Sequence, residues 1–553
     1  MPILKWLLAT GPTGSKHPWV VSALLALWLS TLGNAPLWWA VGQLPEMNTP
    51  RAWLGLAGLW LALTLFMWAF VNAVVWPWWR RPLGIVLLMV TTVTSYFMAL
   101  YGVVIDPTMI ANALNTNVTE ARDLASVTLL GLLVLGVGLP GLWWWRTQPR
   151  STLGWQRWTH QLGATLLGLG LAAAVLLLVF QDLASMMRNH KSLRYMINPF
   201  NTVYAIGRLA YAEQAQRQLP LQTMGDDARA RTLGPGENAP VLVLVVGETA
   251  RAANFSIGGY ARSTTPQLQS LQAQGSLYYF SQVESCGTNT QVSVPCMFSH
   301  LERIGYTGSN ARYESLLDVL QKAGWAVLWL DNQSGCKGVC ERVPNDNTSE
   351  LKNPKWCANS ECLDEIMLEG LNERLAALPA ERRARGTVLV MHQMGSHGPA
   401  YYRRSPADKK PFTPECSNNA LPACDKQTLL NAYDNSIAYT DHFLGRVVQW
   451  LQTQQRPTAL WYASDHRESL GEKGIYLHGM PFNIAPKEQT HVPMALWLSP
   501  QMRQHWGVNE ACLREQRAKP WSHDHWFHTV LGSADVQTSL YQPAMDITRA
   551  CRQ

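Results

Sequence analysis

The first 285 residues of this 553-residue chain contain no cysteine, and all ten cysteines follow. The first third is also poor in charge, and nowhere does the chain carry a basic tract, a low-complexity stretch or an internal repeat. The formal net charge of +7 is modest for this length, which excludes a nucleic-acid-binding role. No cysteine pair has C-x₂-C spacing, the usual mark of a zinc knuckle.

Long apolar, tryptophan-rich runs fill the cysteine-free part instead. Runs near 18–43, 53–77, 83–105, 125–145 and 161–181 are each long enough to cross a bilayer, which takes about 20 apolar residues. The first run is too long for a cleavable signal, contains Pro36 and lacks a small-residue cleavage site. Lys5, Lys16, Arg80, Arg81, Arg146, Arg150 and Arg157 fall in alternate loops, so those loops face inward and the large C-terminal region faces outward. Arg188, Lys191 and Arg194 oppose this, but a long domain translocates largely regardless of charge.

Cysteine usage agrees with an exported domain. Four pairs are locally spaced: Cys286 with Cys296, Cys336 with Cys340, Cys357 with Cys362, and Cys416 with Cys424. Cys512 and Cys551 are left over as a fifth. An even count confined to the outer region reads as disulfides, although C-x₃-C and C-x₄-C spacings also occur in zinc-thiolate sites. The expected organisation is a transmembrane domain over 1–182, an amphipathic connector and polar linker over 183–239, and an α/β domain over 240–553.

Four short apolar stretches of that domain end in polar groups: VLVLVVGE at Glu248, AVLWLDN ahead of Lys337, TVLVMHQMGSH at His397, and TALWYASDH at Asp465 and His466. Such stretches read as strands of a parallel sheet buried on both faces. Ligands bind beyond the carboxyl ends of such strands, so these groups converge, and oxygen and nitrogen donors of this kind suit zinc. Taken singly, each has a plainer reading. Glu248 caps a helix, Thr290 in ESCGTNTQVSVPCMFS caps another, Lys337 is a solvated loop lysine, and His397 and His478 are structural histidines. His523, Asp524 and His525 form a further cluster, read as supporting the others.

VVGETARA, SCGTNT with SVPCMFS, DNQSGCKGVC, HQMGSHGPAYY, NAYDNSIAYTD, SDHRESLGE and YLHGMP occur in the order in which they occur in the lipid A phosphoethanolamine transferases. The chain resembles that family, the EptA and MCR-type enzymes of the alkaline phosphatase superfamily, over nearly its whole length. The resemblance implies a five-helix inner-membrane anchor and an alkaline-phosphatase-like (sulfatase-like) periplasmic domain in a Gram-negative bacterium. It implies transfer of phosphoethanolamine from phosphatidylethanolamine to lipid A through a covalent threonine intermediate, and hence polymyxin resistance. Thr290 would be the nucleophile. Glu248, Thr290, Asp465 and His466 would hold one tightly bound Zn²⁺, with room for a second during turnover. Lys337, His397 and His478 would hold phosphate or the second metal, and Asn112, Thr116 and Glu120 would lie near the lipid headgroup, unless they only line a solvent-facing helix. A monomer is expected.

Two rival functions fit the same motifs: a related transferase carrying phosphoglycerol or acting on another sugar, and a catalytically impaired membrane sensor. The second draws on Arg467, which stands where the family usually has glycine. If that position needs a positive φ, arginine there costs ~1–2 kcal/mol, and its cation beside the metal site would oppose metal binding.

Overall fold

The computed structural model describes residues 17–553 apart from 77, 116–120, 123, 148–153, 310 and 359–360. Lys5, Lys16, Thr116, Glu120 and Arg150, named above, lie outside the described residues. The chain forms two units. One comprises the residues up to Pro107 with Ala125–Arg208, and the other Thr108–Leu124 with Leu209–Gln553.

Among the described residues of the first unit, five helices are long and apolar enough to cross a membrane: α1 (Pro18–Gly42), α2 (Pro50–Val74), α3 (Arg80–Tyr101), α4 (Val127–Arg146) and α5 (Trp155–Leu178). A proline opens α1 and α2 inside their first turn, where the missing N–H costs nothing. Small residues let the helices approach. A side chain at Gly84 of α3 would collide with the Trp144 ring of α4, and one at Gly168 of α5 would lie 3.0 Å from the Leu65 carbonyl of α2. Leucines such as Leu166, Leu177 and Leu178 stay exposed on α5, as a lipid-facing surface requires.

The second unit is built on an eight-stranded sheet. Its strands are β1 (Val241–Gly247), β2 (Leu277–Glu284), β3 (Ala326–Asp331), β4 (Asn345–Asn347), β5 (Thr387–His392), β6 (Thr458–Ser464), β7 (His491–Leu498) and β8 (Trp521–Ser522). The strand order is β8-β2-β7-β6-β1-β5-β3-β4, and only β7 runs against its neighbours. The four apolar stretches of the sequence are β1, β3, β5 and β6, adjacent and parallel at the centre. Every residue of all four is buried, because helices and loops cover both faces. On one face Leu242, Leu244 and Val246 join Trp329, Val390, Trp461 and Trp526 in the main core.

Two further helices matter to the site: α6 (Thr290–Met297) and α7 (Lys426–Gln452). The polar stretch before β1 is anchored by short strand pairings at Leu221–Gln222 and Arg229–Ala230, with Met224 and Ala228 buried in the core.

Five disulfides staple the second unit. Cys286 is bonded to Cys296, Cys336 to Cys340, Cys357 to Cys362, and Cys416 to Cys424. Cys512, left over by local spacing, is bonded to Cys551 across 39 residues. No cysteine is free among the described residues, which leaves no thiolate for a zinc-thiolate site at Cys336 and Cys340 or at Cys357 and Cys362.

Candidate active site

In β1 and β6, Gly247 lies opposite Ser464, so the next residues, Glu248 and Asp465, emerge side by side at the carboxyl edge. Asp465 N–H donates to the Gly247 carbonyl at 2.8 Å, and Asp465 Oδ1 accepts from Thr249 N–H at 3.3 Å. Thr249 holds φ +53°, rare for a β-branched residue. That turn breaks the strand immediately after Glu248. Across it, Gly395 at φ +52° packs so closely that a side chain there would sit 2.7 Å from the Glu248 carbonyl oxygen.

The threonine arrives from the other direction. Asn289 caps α6 by accepting from Val292 N–H at 3.1 Å, and the Cys286–Cys296 bridge spans the segment. Thr290 is thereby fixed as the first residue of the helix, 2 % exposed. Its hydroxyl donates to Glu248 Oε2 at 3.0 Å and lies 3.3 Å from His466 Nε2. That same nitrogen is 3.2 Å from Glu248 Oε1 and 3.4 Å from Asp465 Oδ2, two buried oxygens that accept no hydrogen bond.

Three oxygens thus crowd around one imidazole nitrogen, which has at most one proton to give. The electrostatics carry the same imprint. Burial works to raise the Glu248 carboxyl, but His466, with His397 and His478 behind it, holds it down at about 2. Burial pushes the Asp465 carboxyl up to about 6, with the Glu248 charge adding to it. His466 resists burial because Asp465 and Glu248 draw it up to about 9. A cluster of two orphaned carboxylate oxygens, an imidazole and a hydroxyl, its Glu248, Asp465 and His466 ligand atoms all within 4.8 Å, fits a divalent cation with nitrogen and oxygen preference.

Of the other expected residues, His478 has its ring 4.4 Å from that of His466, tilted, and 5.3 Å from that of His397, edge-on. Burial, then His466, lowers His478, and its Nδ1 faces Glu468 Oε1 at 3.1 Å. Lys337 sits on the loop after β3 at φ +51°, with Nζ donating to the Ser334 hydroxyl and carbonyl at 2.7 and 2.9 Å. That loop is closed by the bond between Cys336 and Cys340. Asn112 belongs to the helix Pro107–Leu114, and Thr108 of that helix accepts from the capping Asn289 at 3.3 Å. His523 accepts from Cys286 N–H at 3.1 Å, which ties the cluster near residue 524 to the threonine loop.

Glu468 and the buried pair Asp331–His392 escape sequence reading. His392 ends β5 five residues before His397, and a polar residue closing an apolar strand is itself the signal that finds it.

Arg467 settles the condition on which a strain cost depended. It is not among the positive-φ residues, so arginine there causes no left-handed strain. Its guanidinium is buried and donates to the Lys487 carbonyl at 3.0 Å, and its N–H reaches the Gln489 carbonyl at 3.4 Å.

Comparisons with known proteins show the family. Residues 240–536 match the sulfatase family model, and residues 63–214 match the model for phosphoethanolamine transferase EptA/EptB. A Salmonella typhimurium phosphoethanolamine transferase EptA is 39 % identical over 90 % of each chain. The chain belongs to the EptA phosphoethanolamine transferase family. The Escherichia coli phosphatidylethanolamine transferase Mcr-1 is 36 % identical over 88 % of this chain and 91 % of its own. The structure of the integral membrane lipooligosaccharide phosphoethanolamine transferase A from Neisseria meningitidis superposes with a TM-score of 0.92 at 35 % identity, covering 98 % of this chain and all of that one. This EptA-family enzyme is a multi-pass inner-membrane phosphoethanolamine transferase with a periplasmic, alkaline-phosphatase-like catalytic domain.

Proposed function

We propose that this enzyme moves phosphoethanolamine from phosphatidylethanolamine to a lipid A phosphate in two displacements through Thr290. The observation that carries the reading is the Thr290 hydroxyl, buried and held at 3.0 Å from Glu248 Oε2 and 3.3 Å from His466 Nε2 at the start of a helix. Zinc held by Glu248, Thr290, Asp465 and His466 would favour the alkoxide and polarise the phosphate.

In the first step Thr290 Oγ1 attacks the donor phosphorus. The bond from phosphorus to the glycerol oxygen breaks, and diacylglycerol leaves with a proton. Glu248 Oε2 aligns the hydroxyl, while the first turn of α6 adds the favourable end of its dipole to the developing negative charge. The His478 ring lies 4.4 Å from that of His466 and 5.3 Å from that of His397, and these two histidines and Lys337 would hold the phosphate oxygens. In the second step an oxygen of the protonated lipid A phosphate attacks phosphorus, the bond to Oγ1 breaks, and the proton that the acceptor phosphate gives up restores the Thr290 hydroxyl. The acceptor gains an amine and loses anionic charge, which weakens attraction of polymyxin and other cationic peptides.

Mass spectrometry of lipid A from cells making the wild-type chain or Thr290→Ala tests this. The wild type adds the mass of one phosphoethanolamine, the variant adds none, and a trapped adduct maps to Thr290. Full transfer by the variant, or an adduct on another residue, removes Thr290 from the mechanism.

A further inference from the structure

Between membrane helices α3 and α4 the chain leaves the first unit: Thr108–Leu124 belongs to the second unit, with the catalytic sheet. The helix Pro107–Leu114 meets two loops there, the one before Thr290 and the one after His478. At the first loop, Asn289 Nδ2 donates to Thr108 Oγ1 at 3.3 Å. At the second, Gly479 holds φ +89°, and a side chain there would lie 2.8 Å from Met109 Cε. The residue after His478 therefore has to be bare for Met109 to lie so near. The two loops are also joined to each other. Gly479 N–H donates to the Thr288 carbonyl at 2.8 Å, and the Thr288 hydroxyl donates to the Met480 carbonyl at 2.6 Å. Helix, threonine loop and histidine loop meet at one junction, where Thr288, Asn289, Thr290 and His478 are all buried.

Asn289 has two different ends at this junction. A backbone N–H needs an acceptor, so the atom that takes Val292 N–H at 3.1 Å is the side-chain oxygen. The atom turned to Thr108 is then the amide nitrogen, which can only donate. One side chain thus caps the helix that begins at Thr290 and also holds the helix Pro107–Leu114. Serine or aspartate would cap as well, but neither carries an N–H to reach Thr108. Asn289 is buried, so its amide nitrogen depends on a partner within the protein.

We infer that Asn289 is a positioning residue that sets the helix Pro107–Leu114, with Asn112 on it, against the nucleophile loop. It acts through Thr108 and touches neither metal nor phosphorus. A donor headgroup held by that helix is thereby kept in register with Thr290. Losing the link loosens donor binding, while the capped threonine keeps its place. The inference rests on the reading that phosphatidylethanolamine is the donor, and it adds residues to the recognition of that donor.

Donor kinetics of the full chain in detergent, with phosphatidylethanolamine, separate the two ends of Asn289. Thr108→Val keeps the shape and removes the acceptor. Asn289→Ser keeps a cap and removes the donor. Each raises KM for the donor about three- to tenfold, the effect of one hydrogen bond, and leaves kcat within about twofold. The double variant is no worse than the worse single variant, because both residues serve one link. Hydrogen exchange reads the link without activity. Asn289→Ser speeds exchange of the Ala111–Leu114 amides about threefold or more and leaves those of α6 within about twofold. Unchanged KM in both single variants, a fall in kcat at unchanged KM, effects that multiply in the double variant, or unaltered exchange at Ala111–Leu114 overturns the role. A wild-type chain that takes no phosphoethanolamine from phosphatidylethanolamine overturns the proposed function instead, and the exchange measurement still decides the link.

Discussion

Two pairs of strand ends in this sheet carry similar side chains to different ends. At β3 and β5, Asp331 and His392 meet with Oδ2 to Nδ1 at 3.0 Å. The Trp329 indole also donates to Oδ2, and Gln333 and Gly335 N–H groups donate to Oδ1, so both carboxylate oxygens are used. At β1 and β6, one oxygen each of Glu248 and Asp465 accepts nothing, and both point at His466 Nε2 along with the Thr290 hydroxyl. A buried carboxylate whose oxygens are all satisfied holds a fold together. One that keeps an oxygen unsatisfied beside an imidazole fits a cation.

Loss of a donor at the second pair has the largest effect. Glu248→Gln keeps the shape but removes the charge. Zinc measured by atomic emission in the purified chain falls below about a tenth of an equivalent, and transfer to lipid A drops by about 10³-fold or more. Full zinc and activity in that variant would erase the distinction between the pairs.

The first pair answers differently. Asp331→Ala leaves His392 buried without its anion and should lower unfolding stability by about 3–5 kcal/mol. Thermal unfolding of the full chain shows the loss, while zinc per folded chain stays at the wild-type value. Zinc loss equal to that of Glu248→Gln would mean that both pairs serve the metal.

How far the sequence reveals this contrast depends on the link. The central strands are legible because each is a short, β-branched or aromatic run without charge, and burial on both faces allows little else. Glu248, Asp465 and His466 are legible for the same reason, since they stand where those runs stop. What the sequence hides is pairing. Asp331 and His392 also end apolar runs, and only the register that puts them opposite each other shows that they satisfy one another. Cysteines show the same limit on a smaller scale. Short spacing suggests Cys336 with Cys340 and Cys357 with Cys362, but that spacing alone does not separate a disulfide from a zinc-thiolate site; the bonded sulfurs do. Arg467 is hidden too. A motif comparison marks it as foreign to the site, whereas its backbone conformation and its bond to Lys487 depend on a loop twenty residues away.

Arg467 sharpens the comparison at intermediate scale. Its guanidinium is tied to the Lys487 carbonyl, so removing it disturbs packing beside the metal cluster without touching a donor. Arg467→Gly should leave zinc occupancy within error of wild type and cost about 1–3 kcal/mol of stability, from the lost hydrogen bond, the cavity and the freer backbone. A rise in zinc content would show instead that the cation opposes the metal.

The smallest expected effect is a pH dependence at His523, which supports the threonine loop. Burial drives this imidazole down to about 3. Its Nδ1 accepts from Cys286 N–H at 3.1 Å and faces the Ser293 hydroxyl at 3.4 Å, so a proton there would turn an acceptor toward a donor. The folded pKa is depressed below the unfolded value of about 6.5. Between those values the unfolded chain binds a proton that the folded chain does not. The contribution is therefore complete above about pH 6.5 and is lost progressively as pH falls toward 3. From about pH 7 to about pH 6 the loss amounts to ~0.7 kcal/mol by linkage. His523→Gln keeps an acceptor without a titrating group, and denaturant unfolding of the two chains side by side isolates the difference. The wild type should lose more stability than the variant over that single pH unit. Equal losses would mean that His523 is already charged in the fold, and that the threonine loop rests on something other than a neutral imidazole.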